Sequence, residues 1–238
     1  MAVMQHIDIY SDEAAKFESD VNLLICNTLH AALAHLSGTA DAELADIKKA
    51  RDKATDYEVQ EHLVDAHVDV LATGLSQERF LRSMALVALA SRLLHTLKKM
   101  ARLAEHFCPS THDYKGKSEF LRLWAEYGAR FSIDFKAHAD KIAFVEPMVR
   151  VRNQIVHEGA EANTWNDATL ESVRQGQEPA LDTAFSKVYP HFVTGEGWDA
   201  EVVVSQEQLD LMCDASVALV RWLATELNAQ DQAAGSLR

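Results

Sequence analysis

The sequence predicts an all-α protein, a helical bundle with a short irregular or small β insertion before its last helix. Glycine and proline are scarce, at 9 and 4 among 238 residues, while strong helix formers such as Ala, Leu, Glu and Gln dominate. Apolar side chains also recur at three- and four-residue steps along most of the chain. No linker, repeat or low-complexity tract divides the sequence, so residues 1–238 are predicted to form a single helical domain.

The chain is predicted to begin with a short strand followed by a helix. Residues 1–10 alternate weakly between apolar and polar side chains, which favours a strand. Ser11, followed by two acidic residues, has the character of a helix N-cap. The apolar spacing then predicts a helix over 11–37, and Gly38 is a plausible C-terminal stop.

The next stretch is predicted to contain a charged helical region and then the strongest helix of the chain. Residues 40–73 carry two helical patterns with no clear break between them, and Gly74 is expected to end them. Ser76 begins the following helix, predicted over 77–107. Pro109 is expected to close it, because proline cannot continue a helix.

Aromatic and aliphatic residues mark shorter helices in the second half. One is predicted to start at Ser118, and Asp134 is expected to cap the next. Pro147 either kinks that helix or lies in the first turn of a new one. The segment 148–157 keeps helical register, and Gly159 is expected to end it.

Periodicity weakens over residues 160–204, which we interpret as an irregular insertion holding short helices or a small hairpin. Within it, residues 202–204 are predicted to form a short strand. Ser205 and Gln208 have the spacing of a capping box, and the last helix follows them. The polar tail after Asn228 is expected to fray.

The net charge restricts the classes of partner. Lys and Arg number 23 and Asp and Glu 36, so the formal charge is 23 − 36 = −13. An acidic surface repels a phosphate backbone, which excludes indiscriminate coating of nucleic acid. Chemistry on RNA or DNA would therefore require a local positive patch.

Cysteine usage and hydropathy predict a cytoplasmic protein without a membrane segment. Cys26, Cys108 and Cys213 are far apart in sequence and share no metal-ligand spacing, so they are interpreted as reduced thiols. The N-terminus lacks the pattern of a signal peptide. The longest uninterrupted apolar run, residues 84–90, is too short to cross a bilayer.

The common cofactor and metal motifs are absent from the sequence. It contains no phosphate-binding glycine loop, dinucleotide fingerprint, nucleophile elbow or zinc spacing. His30 and His35 are five residues apart, as are His62 and His67, whereas two ligands on one helix face need a step of four. No metal and no cofactor are therefore predicted.

One segment, residues 150–159, carries a motif with chemical meaning. It contains Arg152, then Asn153, then His157 after three further residues, among apolar side chains at helical spacing. This arrangement resembles the signature of the HEPN superfamily, helical-bundle proteins of which many are metal-independent ribonucleases. That signature is an arginine and a histidine separated by four to six residues, often with Asn, Asp or His directly after the arginine.

Helical geometry places the motif residues on different sides of one helix. Five steps of about 100° put Arg152 and His157 about 140° apart, so spacing alone does not bring them together. The resemblance implies that two protomers pack their motif helices around a two-fold axis and share a composite site, so a homodimer is expected. Asn153 shares a face with His157 and can orient its ring by a hydrogen bond. The predicted core-facing stripe comprises Met148, Val151 and Ile155.

The chemistry that the resemblance implies is cleavage of RNA by its own 2′-hydroxyl. Histidine has an unperturbed pKa of about 6.5, so His157 can exchange protons near neutral pH. Arg152 supplies a planar fork for the phosphate oxygens, and Arg150 is a candidate for binding the RNA backbone. By resemblance, the protein would act as a toxin or anti-phage effector, with an antitoxin protein as a further partner.

Other interpretations remain open from the sequence. Arg152 can instead pair with an acid such as Glu146 or Glu158 at the surface, with no catalytic role. The chain would then be a non-catalytic HEPN-like interaction module, for which an acidic surface suits a protein partner. A third interpretation is a ligand-binding bundle in which Trp165 and Trp198 form part of a lid.

Overall fold

The computed structural model is a helical bundle and describes residues 5–104, 108, 119–135, 137–158, 189–195 and 201–236. Side chains are described there except at 5–15, 17, 119–122, 146, 157, 158, 235 and 236. In chain order the helices are α1 Gln5–Arg51, α2 Tyr57–Leu103, α3 Glu119–Phe131, α4 Ala139–Ile142, α5 Val145–Glu158 and α6 Gln206–Ser236. The predicted all-α fold class is confirmed.

The first two helices are continuous through the positions where the sequence predicted breaks. Gly38 lies inside α1 and Gly74 inside α2, so both predicted helix ends are wrong, as is the helix start at Ser76. The predicted strand is wrong over residues 5–10, which are helical, and its first four positions lie outside the described residues. A glycine in a helix interior costs only about 1 kcal/mol relative to alanine, which the packing of two long helices readily offsets. The Ser76 hydroxyl instead donates to the carbonyl of Ala72, inside the helix.

α1 and α2 form a long antiparallel hairpin. Each contains 47 residues, which corresponds to about 70 Å of helix. The turn between them occupies residues 52–56, where the Asp56 side chain caps α2 by accepting a hydrogen bond from the Glu58 backbone N–H at 2.9 Å. The side chains that line one groove between the helices, Leu44 on α1 and His67 on α2 among them, confirm the antiparallel order.

The hairpin divides into a packed part and a projecting part. Residues 30–82 include the turn and contain no buried residue, although all of them are described. We call this segment the hairpin arm. The packed part begins at Leu29 on α1 and Ser83 on α2, and both of these residues are buried.

The hydrophobic core surrounds the second half of α2. This half is buried on several sides, from Ser83 to Ala101, because α1, α3, α5 and α6 pack against it. Tyr127 of α3 is fully buried, and its hydroxyl donates to the Leu97 carbonyl at 2.8 Å. α6 covers the remaining side with the fully buried residues Leu209, Leu219, Val220 and Leu223.

A two-stranded sheet precedes the last helix, as the predicted small β insertion requires, but the predicted strand over 202–204 is shifted, since only Val202 of it lies in a strand. β1 Val193–Thr194 pairs antiparallel with β2 Glu201–Val202. The capping box is confirmed, since the Gln208 N–H donates to Ser205 Oγ at 3.1 Å and the Ser205 N–H donates to Gln208 Oε1 at 2.8 Å. Most of the segment 160–204 lies outside the described residues.

Of four further predictions about helix ends, two can be compared with the structure and two concern residues outside the described part. α6 continues through Asn228 to Ser236, so the expected fraying after Asn228 is wrong. Pro147 lies in the first turn of α5, the second of the two predicted alternatives. The expected ends at Pro109 and Gly159 lie outside the described residues.

By length and composition alone, α2 could cross a membrane. Its most apolar 18-residue window has a mean hydropathy of 1.3, and half of that window is buried inside the bundle. A core helix of a soluble protein has the same properties.

Candidate functional site

The motif lies on α5, which the core holds firmly. Val145 begins the helix and is fully buried, as are Met148 and Val151, while Ile155 is 7% exposed. These residues pack against α2, so the predicted core-facing stripe of the motif helix is confirmed. A helix fixed along its whole inner face gives its other side chains a defined direction.

Helical register distributes the motif residues around the rim and outer side of α5. Met148 marks the centre of the buried face. Measured around the helix axis from Met148, the Arg152 position lies about 40° away and the Asn153 position about 140° away. The positions of His157 and Arg150 lie near 180° and 200°, on the side away from the core. The His157 side chain lies outside the described residues, so the structure gives no contact for its ring.

The guanidinium of Arg152 is held by its neighbour. Its Nη1 donates to Asn153 Oδ1 at 2.8 Å, and both side chains are half-buried. Nε of Arg152 is buried and has no hydrogen-bond partner within the described part of the chain. This contact uses one lone pair of the Asn153 carbonyl oxygen, which keeps a second lone pair as an acceptor.

The flanking residues of the motif are more exposed. Arg150 is exposed on the outer side of α5, and Val156 is 44% exposed. Arg150 and His157 are seven residues apart, so their positions lie within about 20° of each other around the helix. Two basic side-chain positions therefore share the outer side of the motif helix.

A second polar cluster, which the sequence analysis did not identify, is buried between α1 and α2. Glu18 is fully buried, accepts a hydrogen bond from Thr96 Oγ1 at 2.7 Å and lies 3.3 Å from Arg92 Nε. Burial raises the pKa of the Glu18 carboxyl, and the contacts with Thr96 and Arg92 oppose that rise. One turn later Asn22 is buried, with no hydrogen bond to its side chain among the described residues. The only sequence signal was two polar residues four apart on an apolar helix face.

Two of the three cysteines meet in space. Cys26 Sγ on α1 and Cys213 Sγ on α6 are 3.1 Å apart, although 187 positions separate them in sequence. Burial raises the pKa of the Cys213 thiol, and its hydrogen bond with Cys26 raises it further. All three cysteines are free thiols, and Cys108 Sγ donates to the Arg130 carbonyl at 3.0 Å. Sequence separation alone gave no indication of the Cys26–Cys213 contact.

The described ranges hold no cluster suited to a metal ion. No group of three or more His, Cys, Asp or Glu side chains converges there, including around the pairs His30/His35 and His62/His67. The aromatic residues proposed for a lid, Trp165 and Trp198, lie outside the described residues.

No family model, curated protein or solved structure matches this chain. The resemblance of residues 150–159 to the HEPN signature is therefore a prediction from the motif alone.

Proposed function

We propose that this protein is a metal-independent endoribonuclease that cleaves RNA through attack by the 2′-hydroxyl, with Arg152, Asn153 and His157 as its site. The observation that carries the proposal is the hydrogen bond from Arg152 to Asn153 on a helix that the core holds in place. One turn further along that helix, on the Asn153 face, is His157. By its HEPN-like motif the protein would be a toxin or anti-phage effector of the cytoplasm.

Arg152 suits the binding of a phosphate group that gains negative charge. An arginine carries five N–H donors in a fixed plane, and the contact with Asn153 uses one of them. The half-buried setting restricts the orientation of the guanidinium and strengthens its interaction with an anion. In this proposal, Arg152 stabilises the charge that develops on the non-bridging phosphate oxygens.

His157 is the proposed proton-transfer group. An imidazole can accept the proton of the 2′-hydroxyl while that oxygen attacks the adjacent phosphorus. The protonated ring can then donate a proton to the 5′-oxygen as its bond to phosphorus breaks. The products are a 2′,3′-cyclic phosphate and a 5′-hydroxyl. Asn153 shares a helix face with His157, and the remaining lone pair of its carbonyl oxygen can accept from the ring N–H. That contact would fix the tautomer and leave the other ring nitrogen to accept the 2′-hydroxyl proton.

A homodimer completes the proposed site. The His157 position lies about 140° from that of Arg152 on α5, so one protomer does not present both groups in the same direction. A second α5 related by a two-fold axis would bring both kinds of group to one cleft. Arg150, exposed on the same outer side, would add a local positive charge for the RNA backbone on a chain of net charge −13. The remaining acidic surface suits a protein partner such as an antitoxin.

The proposal is tested by cleavage of end-labelled RNA with purified wild-type protein and the variants Arg152→Ala and His157→Ala. Each variant is expected to lose at least about 100-fold in rate, the usual effect of removing an acid–base or charge-stabilising group. Arg221→Ala is the matched control, because Arg221 is an exposed arginine on α6, outside the proposed site. Chelator should leave the activity unchanged, and DNA of the same sequence should remain intact.

Four results would contradict the proposal. Equal cleavage by the double variant R152A/H157A would remove both residues from the reaction. Loss of activity with chelator, or cleavage of DNA, would exclude the 2′-hydroxyl mechanism. A wild-type protein that does not cleave RNA, and whose expression is as harmless as that of H157A, would favour a non-catalytic interaction module.

A further inference from the structure

The hairpin arm presents an apolar stripe that the described chain leaves uncovered. Its members lie on α2 and are between 46% and 75% exposed: Tyr57, Val64, Val68, Leu71 and Leu75. They recur at steps of seven, four, three and four residues, the spacing of a coiled-coil seam. α1 does not cover them, because α1 packs against the neighbouring face of α2, which carries the half-buried residues Leu63, His67, Val70 and Gly74.

We infer that this stripe binds the same stripe of a second copy of the chain, with the two α2 helices antiparallel. The pattern is symmetric about the midpoint between Asp69 and Val70. In an antiparallel pair centred there, Val68 faces Leu71 of the second copy and Val64 faces its Leu75. Because the arrangement is two-fold symmetric, each layer occurs twice and four consecutive apolar layers form.

Charge distribution distinguishes the antiparallel from the parallel arrangement. The first half of the seam, residues 57–70, carries four acidic residues and no Lys or Arg. The second half, residues 71–82, carries Glu78, Arg79 and Arg82 and has a net positive formal charge, although Arg79 also pairs with Glu201 of β2 at 3.2 Å. A parallel pair would set the two acidic halves side by side, whereas an antiparallel pair sets each acidic half beside the basic end of the other copy.

The ends of the seam fit the same register. Tyr57 is 75% exposed and faces Arg82 of the second copy, a pairing suited to a cation–π contact. The layer between these ends and the apolar centre pairs Glu61 with Glu78. The Glu78 carboxylate already forms an ion pair with Arg82 at 2.5 Å, which reduces its repulsion of Glu61.

The apolar area of the stripe suits a stable interface. At their observed exposures the five side chains leave on the order of 500 Å² per copy in contact with water. A standard interface takes about 800 Å² from each partner, of which a little over half is apolar. The stripe alone therefore supplies the apolar share of such an interface.

The test is the molar mass of the purified full-length protein in solution, measured by light scattering after size exclusion. Wild-type protein is expected to associate through the arm at micromolar concentration, and Leu71→Glu or Val68→Lys should halve the mass. Leu211→Glu is the matched control, since Leu211 is an exposed leucine on α6, at 61% against 47% for Leu71. Circular dichroism checks that each variant remains helical, which is expected because the changed residues are exposed in the single chain.

Mixing V68K protein with L71E protein tests the orientation. In the antiparallel register, one layer of the mixed pair sets the new lysine against the new glutamate, and the other keeps the natural Leu71–Val68 contact. The mixture should therefore regain the wild-type mass. A parallel pair would contain no lysine–glutamate layer and would stay dissociated.

The inference is overturned if L71E has the same molar mass in solution as the wild type, or if L211E also loses association. It is equally overturned if the mixture of V68K and L71E does not regain the wild-type mass. It does not depend on the proposed ribonuclease activity. If the chain also dimerises through α5, the wild-type protein forms a larger assembly that uses both contacts. L71E would then remove only the arm contact, and the measured mass would halve to that of the α5 dimer. RNA cleavage by the R152A and H157A variants reports separately on the α5 site.

Discussion

Replacement of Val151 by alanine should show how firmly the core holds the motif helix. Val151 is fully buried on the inner face of α5, whereas Val156 on the same helix is 44% exposed. Both residues are valines within one helix, so the gain in helix propensity from Val→Ala is similar in the two variants and cancels in their difference. What remains is the difference in burial.

The expected magnitude follows from the atoms removed. Two carbon groups at about 0.8 kcal/mol each give about 1.6 kcal/mol of lost transfer free energy. A residual cavity of about 40 Å³ adds about 1 kcal/mol at about 24 cal/mol per Å³. After allowance for the partly buried side chain of Val156, Val151→Ala should lower the free energy of unfolding by about 2 kcal/mol more than Val156→Ala.

Urea denaturation of both variants, followed by circular dichroism, measures this difference directly. In thermal unfolding the same difference should appear as a Tm lower by about 4–8 °C for Val151→Ala. Equal losses in the two variants would refute the reasoning, since Val151 would then not lie on the packed face of α5.

Two further predictions follow from other parts of the fold. Gly38→Ala should raise the free energy of unfolding by about 1 kcal/mol, because Gly38 lies inside α1 and, apart from its own helix backbone and chain neighbours, nothing described lies within 4 Å of where a Cβ would be built. Glutathione disulfide should oxidise Cys26 and Cys213 to a disulfide that joins α1 to α6, with two molecules of glutathione released, because their sulfurs are 3.1 Å apart. The reaction should accelerate as the pH rises, since burial raises the pKa of Cys213 and keeps it protonated at neutral pH.

The controls for these predictions use neighbouring residues. A destabilised Gly38→Ala variant would mean that the helix ends near that position after all; Gly74→Ala, equally open inside α2, should behave as Gly38→Ala does. For the cysteines, intact-mass measurement should show the loss of two hydrogens in the wild type and not in Cys26→Ser. An intramolecular disulfide that instead involved Cys108 would contradict the geometry of the pair.

Local signals predicted two features of the second half of the fold, the capping box before α6 and the buried stripe of α5. Ser205 and Gln208 formed the capping box that their spacing indicated, because such caps depend on residues only three apart. Met148 and Val151 proved to be core residues, because apolar side chains at steps of three and four share one face of a helix, and that face packs against the bundle. These predictions needed no knowledge of distant contacts.

Long-range packing accounts for what the sequence did not reveal. Gly38 and Gly74 were expected to end helices, but the pairing of α1 with α2 outweighs the small cost of a glycine in each. The contact between Cys26 and Cys213 and the buried Glu18 cluster both join helices that are remote in sequence. No local pattern encodes such contacts.

The sequence predicted which face of α5 each residue of the candidate site occupies, but not the hydrogen bond between them. Helical spacing alone placed Asn153 on the face of His157, and that placement holds because α5 is a regular helix. The hydrogen bond from Arg152 to the adjacent Asn153 was not predicted, since neighbouring residues on a helix point in different directions. A long, flexible arginine side chain overcomes that difference.

The absence of buried residues between positions 30 and 82 also bears on how this protein can vary. The arm has no buried side chain and packs against the core only near its ends, through Leu33 and Leu81. Matched heptads inserted into or removed from the middle of both of its helices would therefore change its length by about 10 Å each. The packing that supports α5 would not be disturbed. The distance over which the molecule reaches a partner can thus diverge between relatives while the surroundings of Arg152 stay the same.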